Sequence, residues 1–185
     1  MEYTQSKQKP KSKFRDNKNV YTVCQITNQI TIPFTGVGKN LHQTLETFIS
    51  KMISGKCIRE GYVKPDSIRV ITYTIGKLQG DQVVFDVVFS CSVCFPVAGM
   101  NFNCVAKNIT KAGIRAESAD ETPSPFVLFV SRDHFYTNPT FATIAEGDKF
   151  TGRVIAQRFE LNDKYISIIA ELPTKEQKVK LIMEN

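Results

Sequence analysis

The stretch "VVFDVVFSCSVCFPVAGMNFNCVAKNITKAG", residues 83–113, decides how this chain is read. It opens on an apolar run that includes Val83, Phe85, Val87 and Phe89. It carries the chain's one Cys-x-x-Cys, Cys91 and Cys94, and then breaks at Pro96 and Gly99 before a second strand-like run. Alternate side chains of a strand point to opposite faces. Cys91 and Cys94 are three apart, so a regular strand puts them on opposite sides, where no single ion reaches both. A zinc knuckle needs a tight turn between its cysteines and a second ligand pair. Here Ser92 and Val93 intervene, and Cys24, Cys57 and Cys104 stand alone. No helical period follows Cys94, as a thioredoxin-type pair would require. The thiols are read as small buried hydrophobes, with no metal and no cofactor expected.

Working outward, residues 20–34, "VYTVCQITNQITIPF", alternate and are rich in β-branched residues, which predicts one or two strands. After Gly36 and Gly38, the residues Leu41, Leu45, Phe48, Ile49, Met52 and Ile53 recur at helical spacing. They predict an amphipathic helix that ends at Gly55, with Asn40 as its cap and Gln43 in a capping box. Strands are predicted at 67–76 and 82–95, with a turn at 78–81. Five shorter ones follow at 101–110, 114–118, 125–131, 149–161 and 165–172, with a loop at 118–125. No long helix is predicted after residue 55, and "RDHFYTNPTFATIAEGD" has room for one helical turn. The expected fold class is α+β, strands plus one helix and then a small closed barrel of OB type. The boundary falls near Pro96–Gly99, with the long strand running almost continuously into the second unit.

The chain has 185 residues and a net charge of +6. Residues 1–19 hold six Lys and Arg against Glu2 and Asp16, and so account for +4 of that charge. They are read as a disordered basic arm, either a solubilising tail or an electrostatic contact to a polyanion. Residues 174–185 are read as a tail. There is no apolar stretch before Val20 and no run long enough to span a membrane, so an intracellular protein without a membrane partner is expected. His42 sits on the predicted polar face of the helix and His134 in a loop. The two make no triad, and "GVGKN" (36–40) fails the phosphate-loop pattern at both ends. An enzyme is not expected.

In order and spacing, these pieces resemble the stalk subunit of multisubunit RNA polymerases. That is the seventh-largest subunit of eukaryotic polymerase II, or its counterpart in the stalk of the archaeal enzyme. The matching residues are Gly55-Lys56-Cys57, Gly61-Tyr62, "VVFDVVFSCSVCFPVAG", then Val105, Gly113, "PFVLFVS" and "EGDKFTGRVIAQRF". The resemblance covers about residues 20–173. It implies a truncated RNP-like domain over 20–97 and an OB-fold β-barrel over 98–173. It also implies a non-catalytic subunit of a DNA-directed RNA polymerase that contacts nascent RNA. Its expected partners are the polymerase core subunits, a small helical stalk partner and single-stranded RNA.

By position, Phe34, Gly36, Gly38, Gly55, Lys56, Gly61 and Tyr62 are candidates for docking on the core. Each glycine alternatively serves a backbone with positive φ, and Phe34 and Tyr62 alternatively belong to the core. The family's two stacking aromatics after the first barrel strand correspond to Ala112 and Arg115, and Tyr165 replaces an arginine. The implied RNA-binding set is Lys107, Lys111, Arg115, Phe129, Arg132, Lys164 and Tyr165, with Arg153 and Arg158 as further phosphate contacts. Phe129 alternatively packs inward, and each cation alternatively lies on a solvated face. The departures point to a divergent member, such as a large DNA virus would encode. The competing expectation is a free-standing OB-fold RNA-binding protein of translation or RNA decay.

Overall fold

A computed structural model describes residues 20–132 and 139–173. The arm at 1–19, the tail at 174–185 and His134 lie outside the described residues. The chain is mostly β-structure, with two α-helices among the described residues.

The front half is a sheet built around one long strand. β1 (Thr22–Pro33) pairs antiparallel with β6 (Gln82–Cys94) over its whole length, Thr22 opposite Val93 and Pro33 opposite Gln82. Along the other side of β6 lie three short strands in succession: β5 (Lys77–Gln79), β4 (Arg69–Tyr73) and β3 (Gly61–Val63). β2 (Cys57–Ile58) pairs with β3. The odd residues of β6, Val83 through Val93, are all buried on one face. They meet Ile30 and Ile32 of β1 and the buried stripe Leu45 and Ile49 of helix α1 (Leu41–Ile53). The predicted helix is thus present, but Asn40 makes no side-chain cap, and no capping box forms. At the other end, Gly55 takes φ +69 just past the helix, the left-handed position that favours glycine there. His42 is exposed, in keeping with its place on the polar face, and its Nε2 lies 3.1 Å from the Val70 carbonyl oxygen while its ring meets Tyr73 edge-on.

The rear half is a closed barrel of five strands. These are β7 (Asn101–Ile109), β8 (Gly113–Ser118), β9 (Phe126–Ser131), β10 (Lys149–Arg158) and β11 (Ile166–Glu171). They close in the order β7-β8-β9-β11-β10 and back to β7, with β9 and β11 parallel. β10 lies beside β7, so β10-β7-β8-β9 is a Greek key. Helix α2 (Pro139–Thr143) precedes β10, and its Phe141 is buried with the barrel core. The interior is filled by Phe102, Phe126, Leu128, Ile114, Ile166 and Ile168, interleaved with Ala106, Ala116 and Ala170. Gly152 leaves room for Leu128. Closure removes the open sheet edges, and the packed interior is a core and not a ligand chamber.

The halves are clamped together. The Cys57 N–H donates to the Asp163 carbonyl, and the Asn162 N–H donates to the Cys57 carbonyl, both at 2.8 Å. Tyr62, 2% exposed, packs with Cys57 and Cys94 in the same buried cluster as the barrel residues. Lys64 is 3.0 Å from a Glu121 carboxylate oxygen and lies over the Tyr21 ring. Cys91 therefore belongs to the front core and Cys94 to the barrel cluster, on opposite faces as expected.

Burial pushes the Cys91 thiol up to about 11, and those of Cys94 and Cys104 up to about 12, from an ordinary 9.0. The unfolded chain releases these protons above about pH 9, and the native state holds them to about 11 or 12. Native stability from this source is therefore full below pH 9 and falls as the pH rises through that window. At neutral pH we expect a thiol reagent to label Cys24, which is half-buried, and to spare the four buried cysteines until denaturant is added. Rapid labelling of all five in native buffer contradicts this packing.

Candidate nucleic-acid interface

The outward face of the barrel follows from strand pairing. Phe126, Leu128 and Val130 of β9 point into the core, so Val127, Phe129 and Ser131 point out. The register places Arg115 of β8 and Ile169 of β11 on either side of Phe129. Phe129 is half-buried, Arg115 is exposed and Ile169 is 51% exposed. One row across three strands thus presents a cation, an aromatic ring and an aliphatic side chain.

Two β-bulges widen this surface. Ala106 opposes Ala116 and Asn108 opposes Arg115, so Lys107 is the extra residue of its strand and is exposed beside Arg115. Val154 and Ala156 oppose Ala170 and Ile169, so Ile155 is likewise extra, and it is 45% exposed. Bulges re-aim side chains in this way. Lys111 sits at the turn between β7 and β8. Arg132 follows β9, where its N–H donates to the Ala112 carbonyl at 2.9 Å and its guanidinium donates to the Thr110 carbonyl at 3.3 Å. Its guanidinium carbon lies 5.5 Å from the centre of the Phe141 ring.

Lys107, Lys111, Arg115, Phe129 and Arg132 are thus brought together at one end of the barrel. Lys164 and Tyr165 are not with them. They precede β11, whose first residue Ile166 pairs with Phe126. Tyr165, 43% exposed, stands just before β11, four residues ahead of Ile169 and about 13 Å from it at the rise of an extended chain. Among the described residues Lys107, Lys111 and Arg115 make no ion pair. Arg153 and Arg158 are engaged instead, 3.4 Å from Glu171 and 3.1 Å from Glu160. Ile155 and Ile169 are absent from the sequence-derived set. In "YISIIAEL", Ile169 falls on the outward phase among Tyr165, Ser167 and Glu171, and that misplaced isoleucine was a readable signal.

The docking candidates divide between the two ends of the front half. Phe34, 61% exposed, leads into the Gly36–Gly38 connection at the end farthest from the barrel. Neither Gly36 nor Gly38 has a positive φ, and neither is crowded by a neighbour within 3.4 Å, so backbone strain does not explain them. The same end exposes Val37, Ile75 (93%) and Leu78 (69%). The other four candidates sit next to the barrel and have internal tasks. Gly55 ends α1, and Lys56 Nζ donates to the Met52 carbonyl of its last turn. Gly61 packs under the Cys94 carbonyl. Tyr62 is buried, so neither Gly61 nor Tyr62 offers a surface to a partner.

No protein-family model matches the chain, and no curated protein matches it. Among solved structures the chain is similar to the a/eIF2alpha–aDim2p–rRNA complex from Pyrococcus horikoshii OT3, at 22% identity and a TM-score of 0.35. That match covers 48% of this chain and 52% of that one, so the chain spans about half its length. A likeness this slight adds nothing to the topology read directly from the strands. Among the described residues no helix is long and apolar enough to cross a membrane.

Proposed function

We propose that this chain is a non-catalytic RNA-binding subunit of a DNA-directed RNA polymerase, with the barrel as an OB domain and the front half as a truncated RNP-like domain. OB domains are five-stranded Greek-key barrels that bind oligonucleotides on the face of their second and third strands. Here those strands are β8 and β9. The observation that carries the reading is the outward pair they form, Arg115 directly opposite Phe129, with the unpaired Lys107 beside it. A half-buried ring with an outward face beside an exposed guanidinium accepts a base by stacking whatever its identity, and the cations follow the phosphates. The polymerase assignment rests on the sequence resemblance. It fits the exposed apolar end formed by Phe34, Val37, Ile75 and Leu78, which lies across the length of β6 from the barrel. At 13 residues β6 separates the two by about 40 Å. The subunit would dock at one end and meet emerging RNA at the other. Catalysis would belong to the large subunits.

Two measurements test this. Fluorescence anisotropy with a single-stranded RNA should show affinity falling with salt, with a log–log slope of about −2 to −3, the value for three or four neutralised phosphates at about −0.7 each. Purification through a tag from the native source should recover the large catalytic chains of a polymerase. A flat salt response removes the RNA role. Recovery of the chain alone favours a free RNA-binding factor.

A further inference from the structure

We infer that the free edge of β1 is a self-association surface that pairs antiparallel with β1 of a second copy of this chain. This inference is independent of the RNA reading. β1 hydrogen-bonds to β6 along one side, and among the described residues no strand covers the other. Long uncovered edges are templates for further pairing, and proteins blunt them with charges, bulges, proline or short strands.

The far side of this sheet is blunted in those ways. It is split into strands of three, five and three residues, it bears Arg69 and Lys77, and it is bulged between Val70 and Thr72. The β1 edge has none of this. Its twelve residues, "TVCQITNQITIP", include no charge, their register with β6 is unbroken, and the only proline is the last residue.

The sequence of the edge also selects the occupant. In an isologous two-fold pairing, residues i and j with an even sum place outward-pointing backbone groups against outward-pointing ones and keep each side chain on its own face. A pairing centred on Thr27 sets Cys24 against Ile30 and Ile26 against Asn28 on the helix-bearing face. On the open face it sets Gln25 against Gln29, Val23 against Thr31 and Thr27 against its own symmetry mate. Centring on Asn28 gives Cys24 against Ile32 and Ile26 against Ile30. The Asn28-centred register sets apolar against apolar on the helix-bearing face and Gln25 and Gln29 against the hydroxyls of Thr31 and Thr27 on the open face, whereas the Thr27-centred one sets Ile26 against Asn28 and Val23 against Thr31; neither brings a charge to the axis. The contact is narrow beside a standard interface of about 1,600 Å², so the expected dissociation constant is micromolar.

Sedimentation of the full chain over a hundredfold concentration range tests the inference. A monomer–dimer equilibrium is expected. Thr27 is exposed on the open face, so Thr27→Lys leaves the fold intact while setting two ammonium groups opposite or diagonal to each other, within about 7–8 Å. It should weaken the dimer by roughly tenfold or more, and added salt should recover part of the loss. Thr72→Lys on exposed β4, the control, should change nothing. With Thr27→Cys, mild oxidation should yield a symmetric disulfide dimer if Thr27 marks the axis. A protein that stays monomeric at the highest concentration overturns the inference. So does a dimer unaffected by Thr27→Lys, which would place the contact at the apolar end or on the barrel.

Discussion

Gly61→Ala should destabilise the protein by about 3 kcal/mol or more, the sum of backbone strain and overpacking. Gly61 holds φ +128, which L-residues rarely adopt. A Cβ there would run into the Cys94 carbonyl oxygen and lie 3.0 Å from Val93 Cγ1. The carbonyl belongs to the backbone of the central strand, so it cannot swing aside as a side chain would. Relief requires β3 to lift from β6, losing the pairs Tyr62 with Cys94 and Val63 with Val93. Tyr62 and Cys57 then leave the cluster that joins the sheet to the barrel. Chemical denaturation measures the loss. Gly80→Ala is the matched control. Gly80 has φ +65 with nothing within 4 Å of the added carbon, so only the conformational term of about 1 kcal/mol applies. If the two variants cost the same, the close approach of β3 to β6 is not what holds the halves together.

The second large effect concerns the outward row of the barrel. Arg115→Ala combined with Phe129→Ala should weaken single-stranded RNA binding by roughly 30-fold or more. A stacked base contributes about 1–3 kcal/mol, and the lost phosphate contact adds to it. Arg115→Ala alone should also flatten the salt dependence by about 0.7 in log–log slope. The Phe129 ring lies against Gly113, where an added Cβ would come within 2.8 Å of its Cζ, so truncation to Ala also empties that contact. Phe129→Leu separates the two roles, because it keeps apolar bulk over Gly113 and removes the stacking plane. Equal affinity of Phe129→Leu and the parent chain would show that the ring packs and does not bind. Tyr165→Ala, about 13 Å from Ile169 at the rise of an extended chain, should matter only for RNA long enough to reach both ends.

Much of the architecture is legible in the sequence. The helix at 41–53 is evident because its apolar residues repeat at 3.6, and the long strand at 82–94 because β-branched and aromatic residues alternate around Asp86. The opposite facing of Cys91 and Cys94 follows from the period of two. Strands β2, β3 and β5 are not legible, since segments of two or three residues carry no period. Their pairing is decided by the strand they meet. The failed Asn40 cap and the docking of His42 on Val70 depend on where the helix lands on the sheet.

The candidate interface divides in the same way. Which cations and aromatics the second half holds is plain from the sequence, and strand alternation alone indicates which of them face outward. That Arg115, Phe129 and Ile169 form one row and that Arg153 meets Glu171 are consequences of register between strands, whereas the Arg158–Glu160 pair is local, two residues apart. Local periodicity sets the face on which a side chain lies. Which side chain lies next to it is set by the closure of the barrel, a long-range event with no local signal. For the same reason Gly61 and Tyr62, which read as surface candidates from their motif, are committed to the joint between the halves, where the space left for them is defined by Cys94, more than thirty residues further along the chain.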